Sequence, residues 1–423
     1  MVEMLDPKVI RDSPETIRTA LRNRGYDQSM LDRFQELDEK WRSLVEQINR
    51  SNKTKNDYSV KISRSDGEEK EKLITEMKEI SLRTRELEAE KAATEKSRDE
   101  ELINFPNLPD PTVPVGSCDA DNEEIRRWGE LRKFDFDPAA HWDIGERLDI
   151  IDFERGTKIA GSGFYVLKGY GARLERALIN FMQDIHLEQG YEEIFSTVLI
   201  NESSCYGTGQ LPKMKEDMYF VERDGLYLNP TAEVPVTNLH SGEILRREQL
   251  PIYYCAYLPS FRREAGRHSE TKGIGRVHQF NKVELVKFVL PEESDNELEK
   301  LLSDAEEVLK RLGIPYRIRL LCTGDLGFHS SKTYDIEAFA PGMDQWLEVS
   351  SCSNFKDFQA RRAGIKFRRE EHLKSEFVHT LNGSGIALPR TMIALIENFQ
   401  DEDGSVEIPA ALRPYLQNIT KIE

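Results

Sequence analysis

The first hundred residues carry apolar side chains at helical spacing. One series recurs at intervals of 3, 4, 3 and 4 residues, namely Phe34, Leu37, Trp41, Leu44 and Ile48. A second series recurs at intervals of 4, 3, 4 and 3, namely Leu73, Met77, Ile80, Thr84 and Leu87. Each series forms one face of a long helix whose other positions are mostly charged. Together they predict an antiparallel two-helix coiled coil, preceded by a short helical lead-in over residues 1–25.

The apolar pattern is lost between Asn49 and Gly67, where we expect a turn or a frayed tip. Two helices of about 30 to 35 residues, rising ~1.5 Å per residue, would make an arm about 50 Å long. From Asn49 to Arg64 the chain carries a local charge of +4, because this stretch has one acid, Asp57, and five bases, namely Arg50, Lys53, Lys55, Lys61 and Arg64. A solvated helix end would explain this patch, and so would contact with a nucleic-acid phosphate backbone.

After the arm the pattern changes to that of a linker followed by a globular domain. Residues 104–118 hold four prolines and predict a linker. Short apolar runs then predict strands at Leu226–Asn229, Ile252–Leu258, Val283–Val289 and Tyr316–Leu321, and amphipathic stretches predict helices at Leu174–Glu188, Glu297–Leu312 and Arg390–Phe399. Because the strand runs outnumber crossover helices, we expect an α+β fold with an antiparallel sheet and flanking helices. The expected division is residues 1–103 with the arm at about 28–101, the linker 104–118, and a domain over 119–423.

Charge and composition exclude several classes of protein. Lys and Arg number 59 against 76 Asp and Glu, so the net charge of −17 disfavours general nucleic-acid binding outside a local basic patch. The longest nearly apolar stretch, Leu250–Leu258, is about half of the ~18 residues that a membrane span needs. Met1–Asp12 lacks the apolar core of a signal peptide. The five cysteines form no C-x-x-C pair, so we expect free thiols in the cytoplasm and no zinc. We expect no membrane association, because the longest apolar stretch is too short to span a bilayer.

The familiar catalytic motifs are missing from the sequence. The glycine-rich strings at 161–163, 207–213 and 383–385 lack the residues that complete a P-loop or a dinucleotide-binding loop. The histidines show no paired metal-ligand spacing, and no G-x-S-x-G elbow is present. The sequence therefore predicts neither a side-chain nucleophile nor a transition-metal site.

A set of arginines and acids on the expected strands remains. Arg262, Arg263 and Glu264 end one apolar run, Arg276 and Glu284 bracket the start of the next, and Glu348 and Arg390 follow later. An arginine binds phosphate through a planar fork of donors, an aromatic ring stacks on a base, and a carboxylate with a hydroxyl binds Mg²⁺. The set therefore has the chemistry for a Mg-nucleoside triphosphate held without a P-loop.

Over essentially its whole length the chain resembles the seryl-tRNA synthetases, a family of class II aminoacyl-tRNA synthetases. Seven strings in the family's order carry this resemblance: GTGQLPK (207–213), NPTAE (229–233), FRREAG (261–266), RVHQFNKVE (276–284), EVSSCSN (348–354), NGSGIALPR (382–390) and LRPY (412–415). The family also has a coiled-coil arm at this end of the chain. The resemblance implies a class II catalytic domain built on an antiparallel sheet, with the residues 1–103 as a tRNA-binding domain.

The resemblance implies a role for each matching residue. Arg262 resembles the arginine that contacts the α-phosphate and the amino-acid carboxylate, Arg276 the arginine on the γ-phosphate, and Phe280 the ring under adenine. The complete ATP-binding set implied is Arg262, Arg263, Glu264, Arg276, Val277, Phe280, Glu348, Val349, Ser350, Ser351 and Arg390. Glu348 and Ser351 match the Mg²⁺ ligands. The implied serine-binding set is Thr231, Glu233, Arg262, Glu284, Asn382 and Ser384.

The implied function is ATP-dependent attachment of L-serine to tRNA(Ser), and to tRNA(Sec) where present, through a seryl-adenylate. The substrates and cofactors implied are serine, ATP, Mg²⁺ and the long variable arm of the tRNA, met by the basic residues of the arm. The resemblance also implies a homodimer. One departure bears on the dimer interface: Phe195–Val198 lacks the proline usual near the end of the first motif.

Three other functions fit parts of the sequence. A class II synthetase for threonine or proline would not be expected to have this arm and the string at 229–233. An amino acid ligase that acts on a carrier protein would lack the long arm. A non-catalytic RNA-binding paralogue would be expected to lose Arg262, Glu264, Glu348 or Arg390, all of which are present.

Overall fold

The computed structural model describes residues 5–264 and 272–423. The end of the FRREAG string, Ala265 and Gly266, and the isolated His268 lie outside the described residues. The chain divides into a helical unit, Met4–Pro106, and a larger unit that contains Asn107–Glu423. None of the helices in the described parts of the chain has the length and apolarity needed to cross a bilayer.

The helical unit consists of α1 (Pro7–Asp12), α2 (Pro14–Asn23), α3 (Ser29–Ile62) and α4 (Gly67–Leu102). The long helices α3 and α4 pack against each other, which confirms the predicted arm. Leu44, Ile48 and Leu87 form its apolar cluster. The seam is partly polar, because Asp38 is buried where Arg11 donates to it at 3.0 Å.

The turn of the arm is shorter than the loss of apolar pattern suggested. Helix α3 continues to Ile62, so the turn is confined to residues 63–66. Polar contacts replace the apolar seam in this stretch: Arg50 pairs with Glu46 one turn earlier, and Tyr58 donates to Glu76 on α4 at 3.0 Å. Four of the five basic residues, Arg50 among them, therefore lie on α3 rather than in the turn.

The helices of the larger unit include the three that the sequence predicted at 174–188, 297–312 and 390–399. Their bounds are α5 (His141–Arg147), α6 (Phe153–Ala160), α7 (Tyr170–Glu188), α8 (Glu202–Thr208), α9 (Glu233–Thr237), α10 (Ser294–Leu312), α11 (Phe358–Ala363) and α12 (Leu388–Asn398). Apolar residues of α7, α10 and α12 join those of the sheet in one large core.

The strands of the larger unit are β1 (Glu123–Trp128), β2 (Ile151–Asp152), β3 (Val166–Leu167), β4 (Glu192–Glu193), β5 (Leu199–Asn201), β6 (Phe220–Val221), β7 (Leu226–Leu228), β8 (Ile244–Arg246), β9 (Ile252–Phe261), β10 (Gln279–Val289), β11 (Tyr316–Leu320), β12 (Lys332–Ala340), β13 (Gln345–Lys356), β14 (Lys366–Arg368), β15 (Glu376–Phe377), β16 (His379–Ala387), β17 (Val406–Glu407) and β18 (Lys421–Ile422). The main sheet has the order β1-β11-β12-β13-β16-β10-β9-β4. In this sheet β4 pairs with β9 in parallel, and the other strand pairs are antiparallel. The predicted α+β fold with an antiparallel sheet is therefore confirmed.

The proline-rich stretch is hydrogen-bonded into the larger unit from Asn107 onward. The Asn107 amide side chain donates to the carbonyls of His329 and Phe355, at 2.9 and 2.8 Å. Further along, the backbone N–H of Thr323 donates to the Pro114 carbonyl at 2.9 Å. These bonds fix residues that the sequence pattern alone would assign to a free linker. A high proline content shows that a segment forms no regular helix or strand, but it does not show that the segment lacks contacts with the rest of the protein.

Candidate active site

A cavity of about 690 Å³ opens on the main sheet of the larger unit. An adjoining cavity of about 110 Å³ shares several lining residues with it, among them Arg262, Arg276, Glu348 and Arg390. The shared residues come from the end of β9, from the segment before β10, from β13 and from the start of α12. Distant parts of the sequence therefore meet at one place, as expected for residues on adjacent strands of one sheet.

Three arginines give this place its positive charge. Arg276 pairs with Glu264 at 3.0 Å, and Arg390 donates to the backbone carbonyl of Glu348 at 2.7 Å. Among the described residues no carboxylate lies within ion-pair distance of Arg262, whose Nε donates to the Pro230 carbonyl at 3.2 Å. The Arg262 guanidinium thus keeps most of its donors for an anionic ligand.

The smaller cavity has an aromatic wall beside these cations. Phe280 lines it and lies under the Arg262 guanidinium, 5.2 Å from ring centre to Cζ. Val277 and Val349 line the same space. A flat base fits between apolar side chains and a ring of this kind, with the arginines placed for the phosphates of a nucleotide.

An acidic corner lies on β12 and β13. Glu348 and Ser351 line the large cavity, and so do Asp335 and Glu337 on the neighbouring strand. Ser351 Oγ donates to Asp335 at 2.6 Å. Burial, followed by the charge of Glu348, raises the pKa of Asp335 well above its usual range. The donor set is all oxygen, which is what Mg²⁺ prefers, and a cation would relieve the repulsion between these acids.

The sequence interpretation missed Asp335 and Glu337. A usable signal was present, because the two residues are two apart in a β-pattern and therefore share a face. Strand pairing then sets Asp335 opposite Ser351, and Glu337 opposite Glu348. That pairing is long-range, so the pattern of β12 alone did not indicate it.

The residues expected to bind serine lie around a polar end of the large cavity. Thr231, Glu233, Asn382 and Ser384 line it. Glu284 does not line it: its side chain is fully buried beneath the wall. Glu284 accepts from Thr231 Oγ1 and Lys282 Nζ, and from Asn382 Nδ2 at 3.0 Å. The carboxylate is therefore already hydrogen-bonded by the protein, and Lys282, which the sequence interpretation missed, neutralises it.

Glu233 is the acid of this pocket that reaches the cavity. Gln359 donates to it at 2.7 Å, and the Gln210 amide lies 3.4 Å away. Burial, and then the nearby charge of Glu284, raises the pKa of Glu233 to about 7. The two glutamines were not singled out from the sequence, because an amide carries no charge or motif that marks it. Near neutral pH, Glu233 is poised to ionise when a cationic ligand arrives.

Two other residues expected in the ATP set do not line either cavity. Arg263 is exposed, and its backbone N–H donates to the backbone carbonyl of Asp217 at 2.8 Å. Ser350 is buried, and its hydroxyl donates to the carbonyl of Ser384 at 2.7 Å. Ser350 therefore ties β13 to β16 beneath the cavity, while the side chains before and after it, Val349 and Ser351, line the cavity walls.

Comparison with known proteins agrees with this arrangement. Residues 219–399 match the tRNA synthetase class II core domain (G, H, P, S and T), and residues 4–109 match the Seryl-tRNA synthetase N-terminal domain. The serine–tRNA ligase of Thermodesulfovibrio yellowstonii is 53% identical over 419 residues, which cover 98% of this chain and 99% of that protein.

Solved structures give the same result. The seryl-tRNA synthetase from Pyrococcus horikoshii, crystallised in complex with ATP, has a TM-score of 0.96 at 39% identity and covers 99% of each chain. The cytoplasmic serine–tRNA ligase from Naegleria fowleri, solved in complex with AMP, has a TM-score of 0.91 at 31% identity over 100% of this chain and 99% of that one. The resemblance carried by the seven strings is confirmed, and the chain belongs to the seryl-tRNA synthetase family of class II aminoacyl-tRNA synthetases.

Proposed function

We propose that the protein activates L-serine with Mg-ATP and transfers the seryl group to tRNA(Ser), and to tRNA(Sec) where that tRNA is present. The observation that carries the proposal is the meeting of Arg262, Arg276 and Arg390 with the pocket of Thr231 and Glu233 around one cavity. This arrangement sets a triphosphate site beside a site for a small molecule with an ammonium group. Full-length identity to serine–tRNA ligases supports the choice of serine.

The first step joins two anions, and Arg262 makes this possible. The serine carboxylate attacks the α-phosphorus of ATP in line, a C–O–P bond forms, and pyrophosphate leaves with the electrons of the broken P–O bond. Arg262 donates to both the carboxylate and the α-phosphate, because its fork has donors to spare. It offsets their repulsion and holds them at attack distance, so no side-chain nucleophile is needed.

The rest of the nucleotide is bound by residues of the smaller cavity. Adenine stacks on Phe280, with the Arg390 guanidinium on the other side of the base. Arg276, aligned by Glu264 at 3.0 Å, holds the γ-phosphate. In the second step the 3′-terminal ribose hydroxyl of the tRNA attacks the seryl carbonyl, and AMP leaves.

Mg²⁺ fits the acidic corner of β12 and β13. Glu348 and Ser351 would hold it, while Asp335 accepts a hydrogen bond from the Ser351 hydroxyl, with the two oxygens 2.6 Å apart, and so leaves the lone pairs of the hydroxyl oxygen free. When bound, the cation would reduce the negative charge of the phosphates. Glu348 is kept in place by Arg390, which contacts both its backbone carbonyl and, at 3.4 Å, its carboxylate.

Serine is recognised by two buried acids with different tasks. Glu233 pairs with the α-ammonium group, because it lines the cavity beside Thr231, whereas Glu284 is buried beneath the wall. Glu284 acts from beneath the wall. It accepts hydrogen bonds from the Thr231 hydroxyl and the Asn382 amide, and so fixes the two polar groups that meet the serine hydroxyl. A substrate without a hydroxyl leaves such a polar network incompletely paired, and sites of that kind reject the deoxy analogue by roughly 10⁴-fold.

The proposal predicts serine-dependent, Mg²⁺-dependent exchange of pyrophosphate into ATP. Serine should support it, while alanine, threonine and proline should support very little. Exchange supported equally well by threonine or proline would overturn the assignment to serine. Adding tRNA together with serine and Mg-ATP distinguishes the carrier-protein alternative, because our proposal requires that seryl-tRNA then forms. A catalytically inactive paralogue would give no exchange with any amino acid.

The pKa of Glu233 predicts how serine binding depends on pH. Only the ionised carboxylate attracts the ammonium group, and with a pKa of about 7 the acid is mostly protonated below that pH. The KM for serine should therefore fall as pH rises from 6 to 8, and at pH 6 it should be about tenfold above its plateau. Glu233→Gln should give a high KM that does not change over this range. A parent enzyme with a flat profile would show that Glu233 does not meet the ammonium group.

The coiled-coil arm, in our proposal, binds the long variable arm of the tRNA. Its basic group, defined above as Arg50, Lys53, Lys55, Lys61 and Arg64, lies on the end of α3 and in the turn. Within the described parts of the chain Arg50 pairs with the exposed Glu46 alone and is itself exposed, as expected for a residue that meets a phosphate backbone.

Changing these five residues to Gln should therefore weaken tRNA charging without changing serine activation. The salt dependence of tRNA binding should fall by about 0.7 to 0.9 units of logarithmic slope for each lost phosphate contact. As a control, Arg83→Gln with Lys96→Gln removes exposed charges from α4 outside the basic group and should have little effect. Unchanged charging by the five-residue variant would contradict this assignment.

We also propose that the protein is a homodimer assembled through the sheet unit. Phe195, in the stretch that lacks the usual proline, has 86% of its surface exposed. Leu199 and Phe220 on the small sheet β5-β7-β6 are exposed as well, and a second protomer would remove these apolar side chains from water. Sedimentation should give a dimer, and Phe195→Asp should shift it toward monomer. A fully active monomeric parent would refute the dimer.

A further inference from the structure

A fully buried histidine and glutamate pair lies behind the nucleotide site without lining either cavity. His141 begins α5, and Glu397 lies near the end of α12. Both side chains have no exposed surface. The His141 Nδ1 atom is 2.9 Å from Glu397 Oε1, and the backbone N–H of His141 donates to the same oxygen at 2.9 Å. No step of the proposed reaction uses either residue.

The other nitrogen of the ring reaches the segment that carries Arg276. The backbone N–H of Ile274 donates to His141 Nε2 at 3.2 Å. An N–H donor requires a lone pair on Nε2, so the ring is neutral and its proton is on Nδ1, directed at Glu397. Next to Ile274, the carbonyl of Gly275 accepts from Arg390 Nε at 3.2 Å. This short segment is therefore held from one side by His141 and from the other by Arg390.

The second oxygen of Glu397 holds another part of the cavity wall. Glu397 Oε2 accepts from the backbone N–H groups of Gly342 and Met343, at 2.8 and 3.1 Å. These residues form the turn between β12 and β13, and Met343 lines the large cavity. One carboxylate thus connects the turn that leads into Glu348 with the histidine that holds the segment before Arg276.

Two glycines show how closely these parts approach. A Cβ on Gly273, whose φ is +89°, would lie 2.0 Å from His141 Nε2. A Cβ on Gly342 would lie 2.1 Å from the carbonyl oxygen of Ala139. Any larger residue would force the backbone away from the histidine or from the segment before it, so the close contact depends on glycine at both places.

We propose that His141 and Glu397 are positioning residues for the nucleotide, which act by holding the backbone of Ile274 and of Gly342–Met343 so that Arg276 and Glu348 on β13 face one ligand. The inference rests on the proposed function for the identity of that ligand, Mg-ATP. A role in stability alone would lower the melting temperature without separating the kinetic constants of ATP from those of serine.

The matched variants His141→Asn and His141→Gln test this role. The asparagine amide overlaps Nδ1, so it keeps the bond to Glu397 and loses the acceptor for Ile274. The glutamine amide reaches the position of Nε2 and restores that acceptor. We expect His141→Asn to raise the KM for ATP by about 5- to 10-fold, as for loss of one buried hydrogen bond, with the KM for serine nearly unchanged. His141→Gln should recover most of the ATP affinity.

The control variant is His379→Asn, since His379 is a hydrogen-bonded histidine whose ring contacts Ser294 at 2.8 Å, away from the nucleotide segment. It should lower thermal stability without a selective effect on ATP. Equal effects of His141→Asn on the KM values of ATP and serine, or no recovery in His141→Gln, would overturn the proposal. Calorimetric titration of each variant with Mg-ATP gives the same comparison without catalysis, so a parent that fails to exchange pyrophosphate would refute serine activation while leaving the positioning role tested.

Discussion

The register of the central strands is the constraint on which the rest of the site depends. Antiparallel pairing sets Glu284 opposite Ser384, and Asp335 opposite Ser351. Because side chains alternate between the two faces of a strand, a slip of one residue would turn these groups into the apolar core. The apolar faces of α7, α10 and α12 prevent that slip by requiring the other set of side chains beneath them. Packing of the core therefore fixes the chemistry above it.

Several acids of the site are buried, and the groups that surround each of them differ. Glu284 is neutralised by Lys282 and hydrogen-bonded on both oxygens, so it serves as a fixed part of the wall. Among the described residues no Lys or Arg side chain lies within ion-pair distance of Glu233 or Asp335, the His329 ring lies 3.7 Å from Glu233, and burial raises the pKa of both acids. The site thus stores a preference for cations at the two places where, in our proposal, an ammonium group and Mg²⁺ bind. Arg262, Arg276 and Arg390 line the same cavity and favour anionic groups instead.

Periodic features could be predicted from the sequence, and long-range pairings could not. The arm followed from heptad spacing, and the sheet from apolar runs such as those that became β9 and β10. The turn at residues 63–66 was not resolved, because charged helix surfaces continue without an apolar stripe. Glu284 was recognised from its motif, but its position beneath the wall depends on strand register. His141 and Glu397 belong to no recognisable motif. They are 256 residues apart in the sequence, and only the fold brings them into contact.

The central claim is that two adjoining cavities hold serine and ATP, with their reacting groups meeting at Arg262. The most direct measurement is a crystal structure of the protein with a non-hydrolysable sulfamoyl analogue of seryl-adenylate. The account predicts adenine stacked on Phe280, the sulfamoyl group bound by Arg262, and the ammonium group within hydrogen-bond distance of Glu233. An analogue bound with its ammonium group on Asp335 and its base away from Phe280 would contradict the account.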